Sequence, residues 1–125
     1  MRTLAYTAVS LAALLGACTF NARNPDRYRE DTRAVLSERT PQIQSCYDNH
    51  LQGDAAAAGD VVVNFTVEKK TGVFKDVVVN PDGTTAPEPL AQCVVQSLAG
   101  LRLAPEDARD GLATFTWTFT PPTQG

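Results

Sequence analysis

Apolar and polar positions change their period several times along this chain, and each change predicts an element. From Arg29 to Arg39 the pattern is helical, with Val35 and Leu36 as its apolar points, and Asn24-Pro25-Asp26 has the chemistry of a helix start. Thr40-Pro41 then supplies a fresh N-cap and a first-turn proline, which predicts a kink or a new helix. Ile43, Cys46, Tyr47 and Leu51 follow at spacings of three and four, one buried stripe that Gly53 ends. After the small-residue connection Asp54 to Gly59 the period drops to two. In Asp60 to Glu68, Val61, Val63, Phe65 and Val67 share one face, and Asn64, Thr66 and Glu68 mark the other.

The polar turn Lys69-Lys70-Thr71-Gly72 sends Val73 to Asn80 back as a hairpin partner. Alternation there is imperfect, and a bulge near Lys75-Asp76 would bring Phe74, Val77 and Val79 to one side. Pro81 to Pro89 is turn chemistry. Leu90, Cys93, Val94, Leu98 and Leu101 return to helical spacing, with Gly100 at the natural stop. Leu112 to Thr120 alternates cleanly, with Ala113, Phe115, Trp117 and Phe119 facing the core and threonines opposite. The order predicts an α+β fold, two helices on a three-stranded antiparallel sheet in the sequence helix-hairpin-helix-strand. Assigned by number, 1–17 is a signal peptide, 18–30 a lipidated tether and 31–122 the domain.

Before the domain, Met1-Arg2-Thr3 is a short basic start, Leu4 to Leu15 is almost wholly apolar, and Leu15-Gly16-Ala17-Cys18 follows. That arrangement describes an export signal, too short for a spanning helix of about 20 apolar residues. The last four residues resemble a bacterial lipobox. The resemblance implies a diacylglyceryl thioether on Cys18 and cleavage before it, which anchors the chain to a membrane. Ordinary secretion with cleavage at Ala17 would give Cys18 no role. Thr19, where an aspartate resembles the signal for inner-membrane retention, points to the outer membrane, with the domain facing the periplasm.

With 125 residues there is room for one domain, and 43% hydrophobic with 20% charged residues suits a folded one. A net charge of -3 gives no basic footprint for nucleic acid. Once Cys18 carries lipid, Cys46 and Cys93 are left, and an even pair in an exported, oxidising compartment reads as a disulfide. Two other readings stand beside it: buried free thiols, or a metal set of Cys46, His50 and Cys93, which lacks a fourth ligand.

Catalysis finds little to use. His50 is the only histidine, four residues from Cys46, and no glycine-rich oxyanion or phosphate loop accompanies them. Asp48, Asp54, Asp60, Asp76 and Asp82 are scattered without a paired constellation for acid/base work. The expectation is therefore a non-enzyme with no cofactor. A small periplasmic thiol-active enzyme using Cys46 and His50, and a cell-wall glycan binder, are the alternatives from other classes.

Ile43-Gln44-Ser45-Cys46-Tyr47, then Leu51, Gly59, the Val/Phe strand, Thr71-Gly72, Val77-Val78-Val79 and Leu90-Ala91-Gln92-Cys93-Val94 resemble the TonB-like C-terminal domain. The nearest form is that of the AgmX/PglI gliding-motility proteins, where a paired Cys-Tyr and Cys-Val also flank the hairpin. The resemblance covers roughly Asp31 to Pro121 and implies a last strand near a sheet edge, with a docking role in an envelope complex of motility or transport. The membrane helix and Pro-rich spacer of energy-coupling TonB proteins are missing, which argues against force transduction. If Leu112 to Thr120 is an edge, its backbone around Thr114, Thr116 and Thr118 can accept a strand from a protein partner.

Overall fold

The structure, a computed structural model, describes residues 22–122. Asn24 starts the first helix by accepting the Arg27 N–H at 2.8 Å, and Pro25 occupies a first-turn position where its missing N–H costs nothing. Helix α1 (Pro25–Ser37) buries Thr32 and Leu36, with Tyr28 and Val35 packed beside them on the same face. Residues 25–30 of the stretch assigned to the tether are thus helical. Helix α1 begins ahead of Asp31, and Arg23 just before it is fastened to a distant loop, as described below.

Thr40-Pro41 makes a new helix, so three helices lie on the sheet instead of two. Helix α2 (Thr40–Gly53) buries Ile43, Cys46 and Tyr47. Thr40 is its first helical residue and not its cap; Arg39 stands at the cap, and its carbonyl accepts the Ile43 N–H at 3.0 Å. The Tyr47 hydroxyl donates to the Ala57 carbonyl at 2.7 Å and ties α2 to the connection that follows.

Strand β1 (Gly59–Val67) is central in a sheet ordered β2-β1-β3. Val61, Val63 and Val67 are fully buried and Phe65 nearly so, the face its alternation predicts. Gly59 has φ +131, and a Cβ there would stand 2.7 Å from the Ala86 nitrogen, so no side chain fits. Strand β2 (Phe74–Val79) pairs antiparallel with β1, and its register shifts opposite the stretch from Asn64 to Thr66. Asp76 takes φ 54 at that bulge, a conformation Asp tolerates better than most residues. Phe74, Val77 and Val79 accordingly face the core, and Val78 is exposed. Beyond the end of β2, Thr84 and Thr85 take its place beside β1, their hydroxyls accepting the N–H groups of Val62 and Asp60.

Helix α3 (Glu88–Ser97) buries Leu90, Ala91 and Val94, and Leu98 and Leu101 continue its apolar stripe past the helix end. Strand β3 (Gly111–Phe119) pairs antiparallel with β1 over its whole length, from Gly59 opposite Phe119 to Val67 opposite Gly111. One row of rings crosses all three strands: Phe65 lies 4.7 Å from Phe74 and 5.9 Å from Phe115.

The helical layer closes over this sheet through sulfur. Cys46 on α2 and Cys93 on α3 form a disulfide, with their Cα atoms 5.8 Å apart. The bridge spans 47 residues of chain, a loop whose closure removes about 4 kcal/mol of unfolded-state entropy in the chain-entropy model. A paired Cys46→Ala, Cys93→Ala variant is expected to lose roughly 2–4 kcal/mol in urea denaturation. Adding reductant to the natural protein should cost a similar amount, and a variant as stable as the parent would contradict this role.

Candidate functional site

β1 has strands on both sides, but β3 has one on a single side only. Which of its backbone groups are free follows from β1. Even-numbered residues of β1 bond away from β3: the Val62 carbonyl accepts the Asn80 N–H at 2.8 Å, and the Asp60 carbonyl accepts from Thr85 and Ala86. The odd-numbered residues therefore hold β3, through the pairs Val61/Trp117, Val63/Phe115 and Phe65/Ala113. That leaves the N–H and C=O groups of Leu112, Thr114, Thr116 and Thr118 aimed at the open side.

The three threonines expected to meet a partner all lie exposed on this strand. Their hydroxyls are not equivalent. Thr114 donates to Asn64 Oδ1 and Thr118 to Asp60 Oδ1, each at 2.8 Å, across the outer face of the sheet. Among the described residues no such cross-strand bond involves the Thr116 hydroxyl. Leu112, at 88% exposure, is the most exposed large apolar residue in the described chain.

On the other face, a trough follows β3 from end to end. Tyr28, Arg29 and Thr32 of α1 face Gly111–Phe115 across a cavity of about 500 Å³. Arg33, Leu36 and Thr40 face Phe115–Trp117 across a smaller one of about 250 Å³. Ile43, Gln44 and Tyr47 of α2 face Trp117–Thr120 across a third of about 390 Å³. Phe115 is common to the first two, and Thr40 and Trp117 to the last two, so the cavities adjoin one another along the strand. The helices run alongside β3 in its own direction but stand off from it. This is why Trp117, expected in the core, is only half-buried, whereas Phe119 is buried against Tyr47 at a ring separation of 4.9 Å.

The cavity between α1 and the start of β3 has unusual walls. The Thr32 hydroxyl and the Tyr28 hydroxyl are buried with no hydrogen-bond partner among the described residues. Thr32 is 1% exposed. A threonine in a helix ordinarily satisfies its hydroxyl on the preceding turn, and a buried unpaired group costs about 1–3 kcal/mol. Burial, and then the nearby Asp107 carboxylate, push the Tyr28 phenol above its ordinary range.

What holds α1 beside β3 is a polar clasp that no sequence pattern signalled. Asp107, 2% exposed, accepts the Arg23 N–H at 2.9 Å and the Arg109 N–H at 3.0 Å. The Arg23 guanidinium also reaches Asp107 at 3.4 Å, Asp31 at 2.6 Å and the Pro105 carbonyl at 2.7 Å. One arginine thus joins the start of α1 to the loop before β3. Only the Arg/Asp content was visible in sequence; their separation by 84 residues hides the partnership.

Other expected residues fall as follows. Cys18 and the signal segment lie outside the described residues. Cys46 and Cys93 meet as a bridge, so in this state Cys46 has no thiol to pair with His50. Among the described residues, no three His, Cys, Asp or Glu side chains come together in a set able to hold a metal ion. None of the described helices is long and apolar enough to cross a membrane.

The clasp gives a pH dependence with a definite sign. Burial by itself would raise the Asp107 pKa, but the Arg23 and Arg109 amides and the Arg23 charge outweigh it and hold the carboxyl below its ordinary range. Hydrogen bonding from Arg23 does the same for Asp31. Both groups bind protons less readily when folded, so their contribution is complete above the unfolded carboxylate value of about 4 and fades as pH falls through the lower folded values. Asp107→Asn is expected to cost roughly 1–3 kcal/mol near neutral pH. In urea denaturation that gap should narrow on acidification below the ordinary carboxylate range; an equal gap at neutral and acid pH would contradict the clasp.

Comparison with known proteins supplies no relative from which to borrow a role: no family model, no curated protein and no solved structure matches the chain.

Proposed function

We propose that this chain is an envelope lipoprotein whose α+β domain docks a protein partner by adding that partner's strand to β3. The observation that carries the reading is the free edge itself. Nine residues of β3 are paired on one side only, and the open side is bordered by three adjoining cavities. Native sheets usually blunt such an edge with charge, proline or a bulge. Here the edge is Leu-Ala-Thr-Phe-Thr-Trp-Thr-Phe, with none of these devices. Main-chain bonding gives such a dock its affinity, and the alternate side chains in the trough give it selectivity.

The order of elements and the bridged Cys46–Cys93 pair support the likeness to the TonB-like C-terminal domain of the AgmX/PglI proteins, and with it a docking role in a motility or transport complex. A fold hosts many functions, so the dock is argued from β3 and not from the likeness. The lipid anchor rests on Leu15-Gly16-Ala17-Cys18, and the periplasm-facing, outer-membrane placement on Thr19. Asn24 caps α1 only six residues after Cys18, so the domain would stand no more than about 20 Å from its anchor point.

Two experiments test the reading. Thr116→Pro removes an outward N–H without touching the β1 ladder, a placement that edge strands tolerate. Crosslinking in intact cells should lose the partner adduct in this variant while its melting temperature stays within about 5 °C of the parent; undiminished adduct would refute strand addition. Separately, growth with an alkyne-labelled fatty acid should label the natural protein and leave Cys18→Ser unlabelled. Equal labelling of both would refute the anchor.

A further inference from the structure

The dock has a chemistry as well as a shape. Arg29, Arg33 and Arg109 line the trough, and Asp110 is the one acid in the lining of its three cavities. An Asp110 carboxylate oxygen is already engaged, accepting the Lys69 N–H at 2.7 Å. Arg23 is neutralised by Asp31 and Asp107, but among the described residues no carboxylate lies within ion-pairing distance of Arg29, Arg33 or Arg109. A cationic trough on a chain of net charge -3 runs against the overall charge of the protein.

The spacing along α1 points the same way. Arg29 and Arg33 are one helical turn apart, a rise of about 6 Å. Alternate residues of an extended strand are about 6.6 Å apart. Since α1 runs alongside β3, side chains two apart on an added strand come level with both guanidinia.

We propose that the segment docked at β3 is acidic, and that one of its carboxylates is held in the α1–β3 cavity by Arg29, with Arg109 beside it. A second carboxylate two residues along meets Arg33, which also lies 6.0 Å over the Phe115 ring. The proposal rests on strand addition at β3.

The test uses ten-residue peptides of alternating Thr and Glu, and the same peptides with Gln for Glu. Trp117, the only tryptophan in the chain, borders the trough and reports binding by fluorescence. The Glu peptide is expected to bind at least about tenfold tighter than the Gln peptide. Arg29→Gln should cut that preference to within about threefold, and so should Arg33→Gln. Both residues are exposed, so each variant should keep its melting temperature within about 5 °C of the parent, which separates loss of the site from loss of the fold. Equal binding of the two peptides, abolished by Thr116→Pro, would overturn the acidic specificity and leave strand addition standing. A Glu preference that survives Thr116→Pro would keep the carboxylate site and remove the strand reading. Binding of neither peptide would overturn the proposal.

Discussion

Burial of alternate side chains along β1 is the constraint from which the other features follow. Val61, Val63, Phe65 and Val67 can all leave water only if the strand is central and the helices lie on that one face. A shift of one residue would turn four apolar side chains out to solvent, so the register with both neighbours is strongly specified. β2 follows by a tight hairpin and β3 must take the remaining side. Among the described residues no strand pairs with the outer side of β3, and Thr120 with the Pro121-Pro122 pair follows it. The open edge is thus a consequence of the order of elements, and it is long because β3 matches β1 residue for residue.

Helical packing then decides what borders that edge. The Cys46–Cys93 bridge draws α2 and α3 together over the sheet, and α1 is left to the margin. It is held there by the Arg23–Asp107 clasp and by the Tyr28 ring, which occupies the space a side chain at 111 would need, so that position is Gly. A helix pinned at its start and packed through Leu36 stands off from β3 between those points. Thr32 and Tyr28 are left there with buried, unpaired hydroxyls. Selection for stability alone would place valine and phenylalanine there, so the polar choice is the part of α1 that a folding argument does not explain.

Much of the fold could be read from the chain before any coordinates. The period-two rows of β1 and β3, the stripes of α2 and α3, the bulge near Asp76 and the meeting of the two cysteines were all legible, because each is written in local spacing. Long-range polar pairing was not. Asp107 looks like any loop aspartate, and only the arrival of Arg23 from the far end of the chain makes it a buried hub. The threonines of β3 were legible as an outer row, but the trough on the opposite face was not. It depends on how far α1 stands from the strand, which no pattern of residues records. For the same reason Trp117 reads as core in sequence and sits half-buried at the margin.

The most direct test of the account is amide hydrogen exchange along β3, read residue by residue by NMR on the mature protein without a partner. Free-edge geometry predicts an alternation, with Ala113, Phe115 and Trp117 protected by β1 and Thr114, Thr116 and Thr118 exchanging rapidly. Uniform protection through Thr114, Thr116 and Thr118 would mean that the edge is already covered, and the account of β3 as a dock would be wrong.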